Sequence, residues 1–121
     1  MDNLLKFKTR LTFVQIIFEN LSTQNDIHEI FKTFNTSYKN TVVKNFHDKG
    51  IIKFDFNSNF LKKLINFYIN YTKSGNYISL INRFILFNRS FEKWDFINQS
   101  ILLAALSELQ NIEENKIKIV F

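Results

Sequence analysis

The chain has no cysteine and no proline, only two glycines and two alanines, and no apolar run longer than the six residues Ile101-Leu102-Leu103-Ala104-Ala105-Leu106. Without cysteine there is no disulfide framework, no thiolate-bound zinc and no thiol nucleophile, and a reducing cytoplasm is the expected compartment. A helix needs about 20 apolar residues to cross a bilayer, so the sequence predicts no membrane partner. Gly50 and Gly75 stand alone, and neither G-x-x-x-x-G-K nor G-x-G-x-x-G occurs. Nucleotide-dependent catalysis therefore lacks a backbone phosphate cradle.

What is present is a chain of 121 residues, 45% apolar and 22% charged, which fits one globular domain. Its formal charge of +5 points toward an anionic partner. Yet Phe, Ile, Asn and Lys, all with A/T-rich codons, make up 60 of the 121 residues, so the positions of the cations carry more information than their number.

With so few breakers, the segments are read from hydrophobic period and capping residues. Leu4, Phe7, Leu11, Val14, Phe18 and Leu21 alternate three- and four-residue steps, predicting a helix over 3–21 with that stripe toward the core. Truncating Leu11, Val14 or Phe18 to alanine would then cost about 2 to 5 kcal/mol. Asp26 and Glu29 open a second, short helix carrying Ile27, Ile30, Phe31 and Phe34. Residues 35–56 read as an irregular connector, in which Val42, Val43 and Phe46 suggest a helical turn and residues 51–56 alternate like an extended segment.

Asn57 or Ser58 caps a third helix with apolar positions Phe60, Leu61, Leu64, Phe67, Tyr68 and Tyr71, ending near Ser74-Gly75. A fourth helix spans 77–86, and Asn88-Arg89-Ser90 breaks it. Asp95 caps a fifth that runs through Ile97, Ile101, Ala104, Ala105 and Leu109. A new apolar segment starts at Asn115. The expected class is all-α, several helices burying broad faces against one another.

Catalytic chemistry finds little support. His28-Glu29-Ile30-Phe31-Lys32 has lysine where a zinc-protease motif needs its second histidine, which leaves His28 on a surface and His47 in the connector without a metal. Asp55, Asp95, Glu108, Glu113 and Glu114 read as caps or solvated charges rather than acid/base pairs, and Trp94 as a staple before the Asp95 cap. No enzyme activity, cofactor or metal is expected. The more informative feature is the basic start of the first helix, where Lys6 and Arg10 share a flank with Lys8 nearby, an arrangement suited to phosphates.

Residues 9–18, Thr-Arg-Leu-Thr-Phe-Val-Gln-Ile-Ile-Phe, resemble the opening of the transcription antitermination factor NusB family, in which an Arg-rich start leads into an A-x-Q-x-L-Y-like run; Phe18 takes the Tyr position. Residues 90–109, from Ser90-Phe91-Glu92-Lys93-Trp94-Asp95 through Ala104-Ala105-Leu106-Ser107-Glu108-Leu109, are similar to the signature W-S-F-D-R-L-D-x-I-D-x-A-I-L-R-x-A-x-Y-E-L. Arg89 stands for its usual Trp, Leu103 for Arg, Ser107 for an aromatic and Asn98 for an acid.

The resemblance implies a NusB-like helical bundle of two small packed subdomains, 1–74 and 75–121. Ile117 to Phe121 would begin a V-I-N-E helix, and the remaining C-terminal helices would be missing, as in a fragment or truncated relative. It also implies a function without catalysis, in which the protein pairs with ribosomal protein NusE, binds boxA-type leader RNA and joins an RNA polymerase antitermination complex. Lys6, Lys8 and Arg10 would then neutralise phosphates, an aromatic such as Phe18 or Tyr77 would stack on a base, and Asn98, Gln99 and Glu108 would face NusE.

Two alternatives stay open. The chain is then either the NusB-like module of an RNA cytosine methyltransferase or a helical interaction protein, such as a homodimer, that binds no RNA.

Overall fold

A computed structural model describes residues 1–39, 41–44, 51–85 and 89–120; of the strands and of residues 112–120 only the backbone is described. His47, Phe46, Gly50, Asn88 and Phe121, named above, lie outside these residues, as do residue 86 at the expected end of the fourth helix and the side chains of Glu113 and Glu114.

The fold is predominantly helical. Helix α1 (Asn3–Thr23) leads to α2 (Ile27–Thr33), which widens into a π-helical turn at Phe34–Tyr38. Strands β1 (Thr41–Lys44) and β2 (Ile51–Phe54) follow, then α3 (Ser58–Thr72), α4 (Tyr77–Phe84), a 3₁₀ turn at Phe91–Lys93, and α5 (Phe96–Val120). Among the described residues no helix is long and apolar enough to cross a membrane.

Side chains start three of these helices where the sequence placed them. Asp26 accepts from the Glu29 N–H at 3.3 Å, Asn57 from the Phe60 N–H at 2.8 Å and Asp95 from the Asn98 N–H at 3.2 Å, each satisfying an otherwise unpaired donor. Asp2 does the same for α1 through the Leu5 N–H at 2.7 Å. α1 stops where Gln24 turns left-handed at φ 61° and returns its N–H to the Asn20 carbonyl. Gly75, at φ 74°, supplies the same conformation after α3 without a Cβ penalty.

The connector is more ordered than its sequence suggested. β1 and β2 form an antiparallel hairpin in which Thr41 pairs with Phe54 and Lys44 with Ile51. Val42 and Val43 thus belong to a strand instead of a helical turn, as their branched Cβ atoms favour. The segment beyond Asn115 is likewise no separate element, since α5 continues unbroken to Val120.

The larger correction concerns which faces are buried. On α1 the buried residues are Thr9, Thr12, Phe13, Ile16 and Ile17, whereas Leu4, Phe7, Leu11 and Phe18 are 62%, 57%, 50% and 40% exposed. At about 100° per residue the two sets lie on opposite sides of the helix. α1 is apolar on both, and the side with Phe13, Ile16 and Ile17 wins because its two threonines bury without leaving a hydroxyl unpaired. Thr9 Oγ1 donates to the Leu5 carbonyl at 2.7 Å and Thr12 Oγ1 to the Lys8 carbonyl at 2.9 Å.

α5 also buries only part of its apolar run. Ile97, Ala105, Ile101 and Leu109 are exposed, while Leu103 and Ala104 are buried beside Gln99, Ser100 and Ser107. Both serines donate to the carbonyl four residues back at 2.6 Å.

These inner faces meet in one core. α1 packs on α5, α3 and α2, and α3 on α5. Phe13, Ile16 and Ile17 join Ile30, Leu61, Leu64, Ile81, Phe91 and Leu103 in a single cluster, so residues on both sides of the expected division at 74/75 share it. Phe13 meets the Tyr68 ring edge-on, centroids 6.4 Å apart. The Asn57 N–H donates to the buried Thr9 hydroxyl at 3.0 Å, which fixes the start of α3 against α1.

Ile16→Ala should therefore cost about 2 to 5 kcal/mol and Leu11→Ala no more than about 0.5 kcal/mol in chemical denaturation; equal losses would contradict the burial pattern.

Burial, with the neighbouring Tyr77 adding in the same direction, pushes the Tyr68 phenol from an ordinary 10.0 up to about 12. A raised folded value favours the neutral form, so this stabilisation is complete below pH 10 and is lost between about pH 10 and 12. Tyr68→Phe should make the decline of unfolding free energy over that alkaline window shallower.

Candidate nucleic-acid interface

The cationic start of α1 divides between two flanks. Lys6 and Lys8, two positions apart and so about 200° around the helix, do not share a face. Both residues are half-buried, and among the described residues neither forms an ion pair, the pair Arg10–Glu108 being the one present.

Arg10 is engaged. Its Nε lies 3.0 Å from Glu108 Oε1 and its Nη2 2.7 Å from Oε2, a two-pronged contact between residues 98 positions apart in sequence. The guanidinium carbon also sits 5.4 Å from the centre of the Phe60 ring. The hydrogen bond to Glu108 raises the Arg10 pKa further above its ordinary range. Nη1 takes no part in that contact, so Arg10 retains donors for a phosphate.

The structure thus joins a residue expected at RNA to one expected at a protein partner, and leaves Phe18 apart from both. Phe18 lies ten residues beyond Lys8, about 15 Å along the axis, and its exposed ring belongs to the outer stripe of α1. Lys6, Lys8, Arg10 and Phe18 therefore mark an extended surface instead of a pocket.

Asn98 and Gln99, adjacent in sequence, part company. Asn98 is exposed on a groove of about 540 Å³ that it lines with Arg89, Trp94, Asp95, Ile101 and Leu102. Gln99, expected at a partner face, is buried at 6% exposure. Its amide donates to the Trp94 carbonyl at 2.8 Å and the Glu92 carbonyl at 3.4 Å, which ties the 3₁₀ turn to α5.

Trp94 anchors the same corner, its Nε1 donating to the Arg89 carbonyl at 3.2 Å and its ring 5.4 Å from that of Phe91. The tryptophan packs on Phe91 and lines the groove with Asn98, Ile101 and Leu102 of α5. Sequence reasoning passed over Arg89 as a contributor to a groove; its only signal was a cation standing five residues from the single tryptophan.

The carboxylates named in the sequence have structural partners where their side chains are described: Asp55 accepts from the Phe56 N–H, Asp95 caps α5 and Glu108 holds Arg10. His28 is exposed, and among the described residues no group of three or more metal-ligating side chains assembles. Compared with protein-family models, with curated proteins and with solved structures, the chain has no match.

Gln99→Ala should cost about 1 to 3 kcal/mol in thermal or chemical unfolding, because two carbonyls lose a buried donor, whereas Asn98→Ala should stay within about 0.5 kcal/mol.

Proposed function

We propose that the chain is a non-catalytic RNA-binding protein of the antitermination type, acting with ribosomal protein NusE on boxA-like leader RNA within an RNA polymerase antitermination complex. The observation that carries this reading is the contact between the two segments that resemble the NusB family: Arg10 of the first segment grips Glu108 of the second, and α1 lies against α5. Lys6 on the Arg10 flank and Lys8 on the other are cations without an ion pair among the described residues, near a helix N-terminus that adds positive potential.

In this reading Lys6, Lys8 and the free Nη1 of Arg10 hold phosphates, Phe18 offers its exposed ring to an unstacked base, and NusE docks near Asn98 and the Arg89–Trp94 groove, with Glu108 holding Arg10 in place. Gln99 stays inside as part of the fold. One observation favours a second reading, a helical interaction module: the outer apolar stripe of α1 is uncovered.

The test is fluorescence anisotropy of a boxA-like RNA over a salt series, with and without NusE. Replacing Lys6 and Lys8 together by alanine should lower the slope of log affinity against log salt by about 1.4 to 1.8, at 0.7 to 0.9 per phosphate contact, with the melting temperature unchanged. Absence of binding at low salt, or an unaltered slope, would remove the proposal.

A further inference from the structure

We infer that α1 is a dimerisation helix, whose outer stripe pairs with the same stripe of a second copy of this chain in antiparallel orientation. The inference rests on the interaction-module reading, and the pair competes with RNA for Lys8 and Phe18, so the sedimentation and cross-linking below are done without RNA. Leu4, Phe7, Leu11, Val14, Phe18 and Leu21 recur at steps of three and four through the whole helix, the a/d pattern of a coiled-coil seam. Leu4, Phe7, Leu11 and Phe18 are exposed on the side opposite the core face, and Val14 and Leu21 lie at its edge, partly buried against the core. The exposed row of α5 differs in kind: Ile97, Ile101, Ala105 and Leu109 are each four apart and drift about 40° per step, so they cannot stay on one seam.

The stripe complements itself. In an antiparallel pair with its two-fold axis between Thr12 and Phe13, Leu4 faces Leu21 of the second copy, Phe7 faces Phe18, and Leu11 faces Val14, so each layer joins an a position to a d position. Such an interface is isologous and closed.

Charge selects the same orientation. A parallel pair would stack Lys6, Lys8 and Arg10 against their own copies at one end. The antiparallel pair separates them and brings Lys8 within reach of Glu19 on the same flank of the second copy, twice over. It also sets the basic start of one α1 beside the last turn of the other, which has no basic residue of its own.

The area limits the pair to a weak, reversible dimer. With about 150 to 250 Å² per full aromatic side chain, the exposed parts of Leu4, Phe7, Leu11 and Phe18 offer on the order of 400 Å² per protomer, about half of the ~800 Å² per partner in a standard interface. Lys8, Gln15 and Glu19 supply a polar rim.

Sedimentation equilibrium of the full chain from about 1 to about 100 µM should show mass rising from monomer to dimer, and Leu11→Glu, next to the axis, should raise Kd at least about 100-fold with unchanged helical circular dichroism. Because the chain has no cysteine, orientation can be read by cross-linking: Leu4→Cys mixed with Leu21→Cys should form a disulfide-linked heterodimer under mild oxidation, and Leu4→Cys alone should not link to itself. A wild-type chain monomeric at about 100 µM would overturn the inference and leave the stripe to a helix of another protein. Self-linking of Leu4→Cys would overturn the antiparallel arrangement. The cysteine pair keeps the test decisive should Leu11→Glu fail to fold.

Discussion

The structure depends on the burial of one side of α1. That side carries two threonines among its aromatic and branched residues, and it faces α5, α3 and α2 at once. A hydroxyl taken out of water without a partner costs on the order of 1 to 3 kcal/mol. Thr9 and Thr12 avoid that cost through their own helix, and Ser100 and Ser107 do the same on α5; among the described residues no buried side-chain polar atom lacks a partner. Thr9 does more, because its oxygen also receives the Asn57 N–H. A single hydroxyl thereby holds α1 internally and places the first turn of α3.

The legible parts of the fold were those specified by neighbours in sequence. Asp26, Asn57 and Asp95 signal helix starts through donors three residues on, and Leu61, Leu64 and Tyr68 form an α3 stripe that is buried as its spacing implies. The inner face of α1 was not legible, since a threonine looks polar until its bond to a carbonyl four residues back is seen. The neater stripe, from Leu4 to Leu21, drew the reading away from Phe13, Ile16 and Ile17. Periodicity reports that a helix has an apolar side; where a helix has two, only the packing partners decide which is inside.

The candidate site divides in the same way. Lys6, Lys8 and Arg10 were visible as cations near a helix start, but the capture of Arg10 by Glu108 across 98 positions has no local signature. Gln99 and Asn98 look equivalent in sequence. Their separation into an internal strut and an exposed groove residue comes from where the carbonyls of Glu92 and Trp94 converge, which is a property of the 3₁₀ turn and not of either amide.

The pairing of α1 with α5 also governs the order in which these helices can pack. During synthesis α1 emerges with both of its apolar sides uncovered, well before its main partner α5 is made. Helical proteins built from local contacts fold fast, whereas closure between chain ends adds loop entropy before any contact repays it. Until the segment from Phe96 onward leaves the ribosome, only α2 and α3 can cover the inner side of α1, an interval in which transient self-association or chaperone capture competes with folding.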